Sequence, residues 1–125
     1  MKKTEMMKKN YEFRNVLSRG NYYSGKYIEI FVKKNSHQDR NLLGIAISVK
    51  IAKAVKRNHI KRLIRENYFY YEDAIKSGYR MVFLWKKKAN ITDATFQNIR
   101  RDMRIIFDKA KLIEEKYENV TTKAN

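Results

Sequence analysis

Two short, almost wholly apolar runs, Leu42–Val49 and Tyr79–Trp85, constrain this chain more than any other feature. Each has the length of a strand, and an apolar run of that length suits a strand covered on both faces. A helical pattern separates them, from about Lys56 into the mid-seventies, with Gly78 placed to stop it. Strand, helix, strand in that order favours a parallel pair joined by a crossover.

The remaining elements are arranged around that unit. Tyr22 to Val32 alternates as one strand, with Ile28, Ile30 and Val32 on one side and Tyr27, Glu29 and Phe31 on the other. Residues 33–41 form a polar turn, which lets the first two strands pair antiparallel. Asn10 is placed to cap a short helix carrying Phe13, Val16 and Leu17 on one face, and Gly20 to end it in the left-handed conformation. Thr92 is placed to cap a last helix with an apolar stripe from Phe96 to Ile113. The expected fold is α/β: a small mixed sheet packed with helices, in the order α-β-β-α-β-α. We expect one domain over residues 1–125, with 1–9 and 118–125 as loose tails.

A length of 125 residues with 43% hydrophobic content suits a single folded domain. The formal net charge is +16, from 29 Lys+Arg against 13 Asp+Glu. Self-repulsion on that scale costs stability and points to a polyanionic partner. There is no cysteine, so disulfides, thiolate metal sites and cysteine nucleophiles are excluded. The start lacks the apolar run of a secretory signal, and no stretch approaches a membrane span. The expected setting is cytoplasmic, with no membrane contact.

The charge is concentrated in "KAVKRNHIKRLIR" (53–65), in which Val55, Ile60, Leu63 and Ile64 keep an apolar spacing. With Arg57 at zero on a helical wheel, Lys61 falls near ~40°, Arg65 near ~80°, Asn58 near ~100° and Arg62 near ~140°. Ile60, Leu63 and Ile64 fall on the opposite side. Arg57, Lys61 and Arg65 therefore step along the axis by about 6 Å, close to a phosphate-to-phosphate spacing. An ordinary solvated face is the alternative, but such faces usually mix signs at i,i+4, and this one repeats like charges at a cost. Arginines fork onto phosphates, which favours RNA or DNA. Lys50 and Lys53 before the helix, and Lys86, Lys87 and Lys88 after the last strand, fall on the same edge of a parallel pair. The helix N-terminus there also attracts anions.

Nine tyrosines and six phenylalanines give a second signal. Phe31, with Tyr27 and Glu29, lies on the less apolar strand face, and Phe13 on the first helix. Such rings either pack a core or offer a platform for unpaired bases. No carboxylate or histidine cluster suits a metal nuclease: His37 and His59 are far apart, and the acidic pairs Glu72–Asp73 and Glu114–Glu115 diverge on a helix. No protein catalytic residue is expected.

The residues "AVKRNHIKRLIR" (54–65) resemble the signature of the bacterial ribonuclease P protein subunit, with Ala54, Val55, Arg57, Asn58, Lys61, Arg62 and Arg65 in place. The lead-in is similar at Gly44, Ser48 and Lys50, and the first helix at Phe13 and Gly20. The resemblance covers about residues 6–110. It implies a left-handed strand–helix–strand crossover, against the usual rule. It also implies a monomer that binds the catalytic RNA of ribonuclease P, one per RNA. That RNA cuts precursor tRNA at its 5′ end with Mg2+ held through the RNA, and no metal is assigned to the protein itself. Contact with the RNA would fall to Lys53, Arg57, Asn58, Lys61, Arg62 and Arg65. A cleft for the single-stranded 5′ leader would be formed by Phe13, Leu17, Phe31, Ser48, Lys50 and Lys87. Several positions depart from the family pattern: Ala52-Lys53 replaces a frequent Gly-Asn, Leu17 a frequent aromatic and Val49 a common lysine, and the loop after the last strand has no proline. A ribosomal or other structural RNA-binding protein is the alternative from the same signals, and a protein-only nuclease a third.

Overall fold

The computed structural model describes residues 3–35 and 39–113. In chain order it comprises β1 (Thr4–Met6), α1 (Asn10–Arg19), β2 (Asn21–Ser24), β3 (Ile28–Lys34), β4 (Asn41–Ala46), α2 (Ala54–Tyr71), β5 (Tyr79–Trp85) and α3 (Phe96–Lys109). Single 3-10 turns lie at Glu72–Ala74 and Ile91–Asp93. His37, Glu114, Glu115 and the expected tail from residue 118 lie outside the described residues.

The parallel pair is present: β4 runs beside β5, with Leu42 opposite Arg80 and Ala46 opposite Leu84. The five strands are ordered β1-β4-β5-β3-β2. The expected antiparallel pairing of the first two long strands is corrected by this order. β3 is antiparallel to β5, which stands between β3 and β4. A central position hydrogen-bonds both edges of the most apolar strand and buries Met81, Val82 and Phe83 completely.

The single strand Tyr22–Val32 is also corrected. It breaks at Gly25–Tyr27 into the antiparallel hairpin β2–β3, in which Tyr22 faces Phe31. The break is held from a distance. The buried Asp102 carboxylate of α3 accepts the backbone N–H groups of Lys26, Tyr27 and Ile28 at 2.5, 2.8 and 2.8 Å. The Lys86 and Lys109 ammonium groups donate to the carbonyls of Gly25 and Ser24. The bend moves Tyr27 to the other side of the sheet, stacked on Trp85 with centroids 6.0 Å apart.

Residues 4–6 are not loose. They add a parallel edge strand to β4, with Thr4 opposite Asn41. Thr4 is buried and its hydroxyl shares a 2.7 Å hydrogen bond with Tyr68. Asn41, expected in a polar turn, begins β4 and is buried, its side chain bonded to Lys76 O and Tyr79 N.

Helix ends differ in detail. Lys9, not Asn10, precedes α1, and its N–H donates to Glu12 Oε1 at 3.2 Å. Gly20 is extended rather than left-handed (φ −77°). Glycine is needed there because a Cβ would lie 2.6 Å from Val16 O. Thr95, not Thr92, caps α3, accepting from Asn98 N at 3.2 Å. α2 ends before Gly78, whose φ of 88° instead turns the chain into β5.

The helices cover both faces of the sheet. α2 and α3 bury Ile60, Ile64, Tyr68, Ile99, Met103 and Phe107 against Ile28, Ile30, Leu43 and Phe83. α1 packs on the opposite face through Val16, with Phe13 and Leu17 half-buried against Phe31, Val82 and Leu84.

Candidate nucleic-acid interface

α2 sorts its residues as a helical wheel requires. Ile60, Leu63 and Ile64 are buried, Arg57, Lys61 and Arg65 are half-buried, and Asn58 and Arg62 are exposed. Val55 is the exception to the expected apolar face. It is 84% exposed, because its position on the wheel falls near ~160°, among the cations. Two cations are already oriented. Arg57 Nη1 donates to Ala52 O at 2.8 Å, which draws the guanidinium to the start of the helix. Arg62 Nε lies 3.5 Å from Glu66 Oε1. The Lys53, Lys61 and Arg65 side chains have no hydrogen-bond or ion-pair partner among the described residues.

A second basic group lies beyond the C-terminal ends of β4 and β5, where parallel sheets commonly present ligand sites. Ser48, Lys50 and Lys87 line a cavity of about 390 Å³ with Ile51, Ala89 and Ile91. Lys50 also lines an adjoining cavity of about 520 Å³ with Lys53 and Arg57. The turn between strand and helix is fixed by Ser48, whose Oγ accepts from Lys50 N at 3.1 Å and whose carbonyl accepts from Ile51 N at 3.1 Å. The cap residue Lys53 makes no side-chain cap bond, so the first N–H groups of α2 remain available to an anion. Lys86 is drawn away from this group by its bond to Gly25 O.

The α1 side of the sheet is aromatic. Strand register sets Tyr22, Phe31, Val82 and Gly44 in one line across β2, β3, β5 and β4. Phe13 lies over the far end of that line, where a Cβ on Gly44 would be 2.7 Å from its ring. Leu17 packs with it. At the near end the Tyr22 and Phe31 centroids are 5.1 Å apart, and Tyr22 is half exposed. The Tyr22 hydroxyl donates to Glu29 Oε2 at 2.5 Å, and that bond, with partial burial, raises its pKa above the ordinary value of 10.0.

Phe13, Leu17 and Phe31 thus come together in one cluster, and Ser48, Lys50 and Lys87 in one cavity. The lining of that cavity holds none of the three apolar residues, so the two groups are distinct zones. The sequence pattern does not mark Tyr22, because its pairing with Phe31 depends on the break at Gly25–Tyr27. No group of three or more acidic or histidine residues that could hold a metal occurs among the described residues. No helix among them is long and apolar enough to cross a membrane.

A family model described as Ribonuclease P matches residues 1–111. The chain is 36% identical over 103 residues to the ribonuclease P protein component of Clostridioides difficile, covering 82% of this chain and 88% of the relative. It is 36% identical over 113 residues to that of Clostridium novyi, covering 90% and 98%. Among solved structures, the Staphylococcus aureus RNase P protein superposes with a TM-score of 0.77 at 28% identity, covering 87% of this chain and 97% of that one.

Proposed function

Since the chain belongs to the ribonuclease P protein family, whose members are components of a tRNA-processing ribonucleoprotein endonuclease, we propose that it divides two RNA partners between two surfaces. The catalytic RNA meets α2 through Arg57, Asn58, Lys61, Arg62 and Arg65, with Lys53 at the helix start. The 5′ leader of precursor tRNA lies on Phe13, Leu17 and Phe31. Its phosphates reach Ser48, Lys50 and Lys87 at the edge of the sheet. The observation that carries this reading is the difference between the two surfaces. One is a row of cations at phosphate spacing, and the other is an apolar sheet face where Tyr22 pairs with Phe31 and the Phe13 ring of α1 lies over Gly44.

Each surface has its own chemistry. Cations on α2 displace condensed counterions from the RNA, which gains affinity through ion release and lowers the Mg2+ the RNA requires. The half-exposed ring of Tyr22, backed by the partly buried ring of Phe31, stacks unpaired bases with little regard to sequence. Mg2+, held by the RNA, supplies the hydrolytic chemistry, and the side chains described here bind and orient. The working form is one protein per RNA, in the cytoplasm.

The test is cleavage of a precursor tRNA at low magnesium by a bacterial ribonuclease P RNA, with and without the protein, and by the protein alone. Rescue that requires the RNA is expected. Tight RNA binding without rescue would favour a structural RNA-binding role. Cleavage by the protein alone would overturn both readings.

A further inference from the structure

Arg100 of α3 is immobilised at the outer surface between α2 and α3. Its guanidinium carbon lies 3.6 Å from the centroid of the Tyr70 ring and 4.4 Å from that of Phe96. Its Nε donates to Asn67 Oδ1 at 2.9 Å. Asn67 is fully buried and is fixed in turn, its amide donating to Leu63 O and Phe96 O. The Tyr71 hydroxyl donates to Arg100 O at 2.9 Å. The plane of the guanidinium is therefore set before any partner arrives. Its two terminal amino groups have no acceptor among the described residues, and neither is buried. A fork held in this way loses little freedom on meeting a phosphate.

A clamp whose only task was to join two helices would enclose its rings. Here Tyr70 is 59% exposed and Phe96 36% exposed. The surroundings are cationic. Arg62, Glu66 and Tyr70 lie on one i,i+4 ridge of α2, and Glu66 is already matched by Arg62. Arg101 follows on α3 and is exposed. From Arg62 to Tyr70 is about 12 Å along the axis, so this patch continues the basic surface of α2.

We infer that Arg100 and Tyr70, fixed side by side at the α2–α3 junction, form a second contact for folded RNA. The guanidinium takes a phosphate, and the open ring carries the neighbouring ribose or base. This inference rests on the reading that α2 binds the catalytic RNA.

The experiment is titration of a bacterial ribonuclease P RNA with wild type, Arg62→Ala, Arg100→Ala and Tyr70→Leu over a series of salt concentrations. Arg100→Ala is expected to weaken binding and to reduce the salt slope by about one unit. Tyr70→Leu keeps helix propensity and charge, so it is expected to lose about fivefold or more in affinity with the slope unchanged. If Arg62→Ala weakens binding while the other two variants match wild type, the patch is only a helix clamp and the inference fails alone. If Arg62→Ala also binds as wild type, the α2 reading fails and takes the inference with it. Should Arg100→Ala not fold by circular dichroism, Tyr70→Leu decides: a loss supports the contact, and wild-type affinity overturns it.

Discussion

The Asp102 carboxylate occupies the space that a side chain on residue 25 would need: a Cβ on Gly25 would lie 2.1 Å from Asp102 Oδ1. The same carboxylate accepts three consecutive backbone N–H groups, and those bonds break one run of residues into β2 and β3. Removing it orphans donors that are buried or partly buried. Asp102→Ala is expected to cost about 2–4 kcal/mol, measured by urea unfolding. Gly25→Ala should be destabilising as well, because the carboxylate must retreat. A loss within error of zero for both would show that the turn holds itself.

The two proposed RNA surfaces should separate by mutation. Arg57→Ala and Arg62→Ala are expected to weaken binding to ribonuclease P RNA by roughly tenfold or less each, with a shallower salt dependence. Phe13→Ala should leave that binding nearly intact and reduce the preference for leadered precursor over leaderless tRNA. Equal losses on both substrates for Phe13→Ala would show that the division into two surfaces is wrong.

Gly44 makes room for the Phe13 ring, with ring atoms 2.7 and 2.9 Å from where a Cβ would stand. Gly44→Ala is expected to displace the ring and with it the leader preference. Phe13→Leu in the same chain should relieve the crowding and restore part of the lost stability. A double-mutant cycle by thermal unfolding measures this coupling, and simple additivity would sink it.

Burial pushes the Tyr68 hydroxyl up to about 12, above the ordinary 10.0. The folded state then holds this proton more tightly than the unfolded chain. Its contribution is complete below pH ~10 and is lost as pH rises from there toward ~12, by roughly 2–3 kcal/mol in all. The stability difference between wild type and Tyr68→Phe should therefore shrink as pH rises above 10. A constant difference between pH 9 and 11.5 would contradict the assignment.

What the sequence made legible was local. β5 was bounded to the residue because an apolar run stands between Gly78 and three lysines. The sorting of α2 follows from a 100° step, and even Val55 was on the wheel to be seen among the cations. What stayed hidden depends on distant partners. Thr4 belongs to a strand because β4 offers it an edge and Tyr68, 64 residues away, shares a hydrogen bond with its hydroxyl. The hairpin depends on Asp102, more than seventy residues beyond the turn it holds. Lys86 looks like one of three equal lysines, yet it is taken up by Gly25 O. The site followed the same pattern: the cation row was readable, whereas the pairing of Tyr22 with Phe31 needed the register of a hairpin.

The place of β5 between β3 and β4 also has a consequence for synthesis on the ribosome. Until residues 79–85 have emerged, the β2–β3 hairpin and the β1–β4 pair have no strand to join them. The first strand made must wait for one of the last, and the hairpin turn waits longer still, for Asp102. Each of these closures spans a long stretch of chain, which slows folding and leaves strand edges open in the meantime. A nascent chain with so much positive charge, emerging beside ribosomal RNA, passes that interval next to the very kind of polymer its finished surface is built to hold.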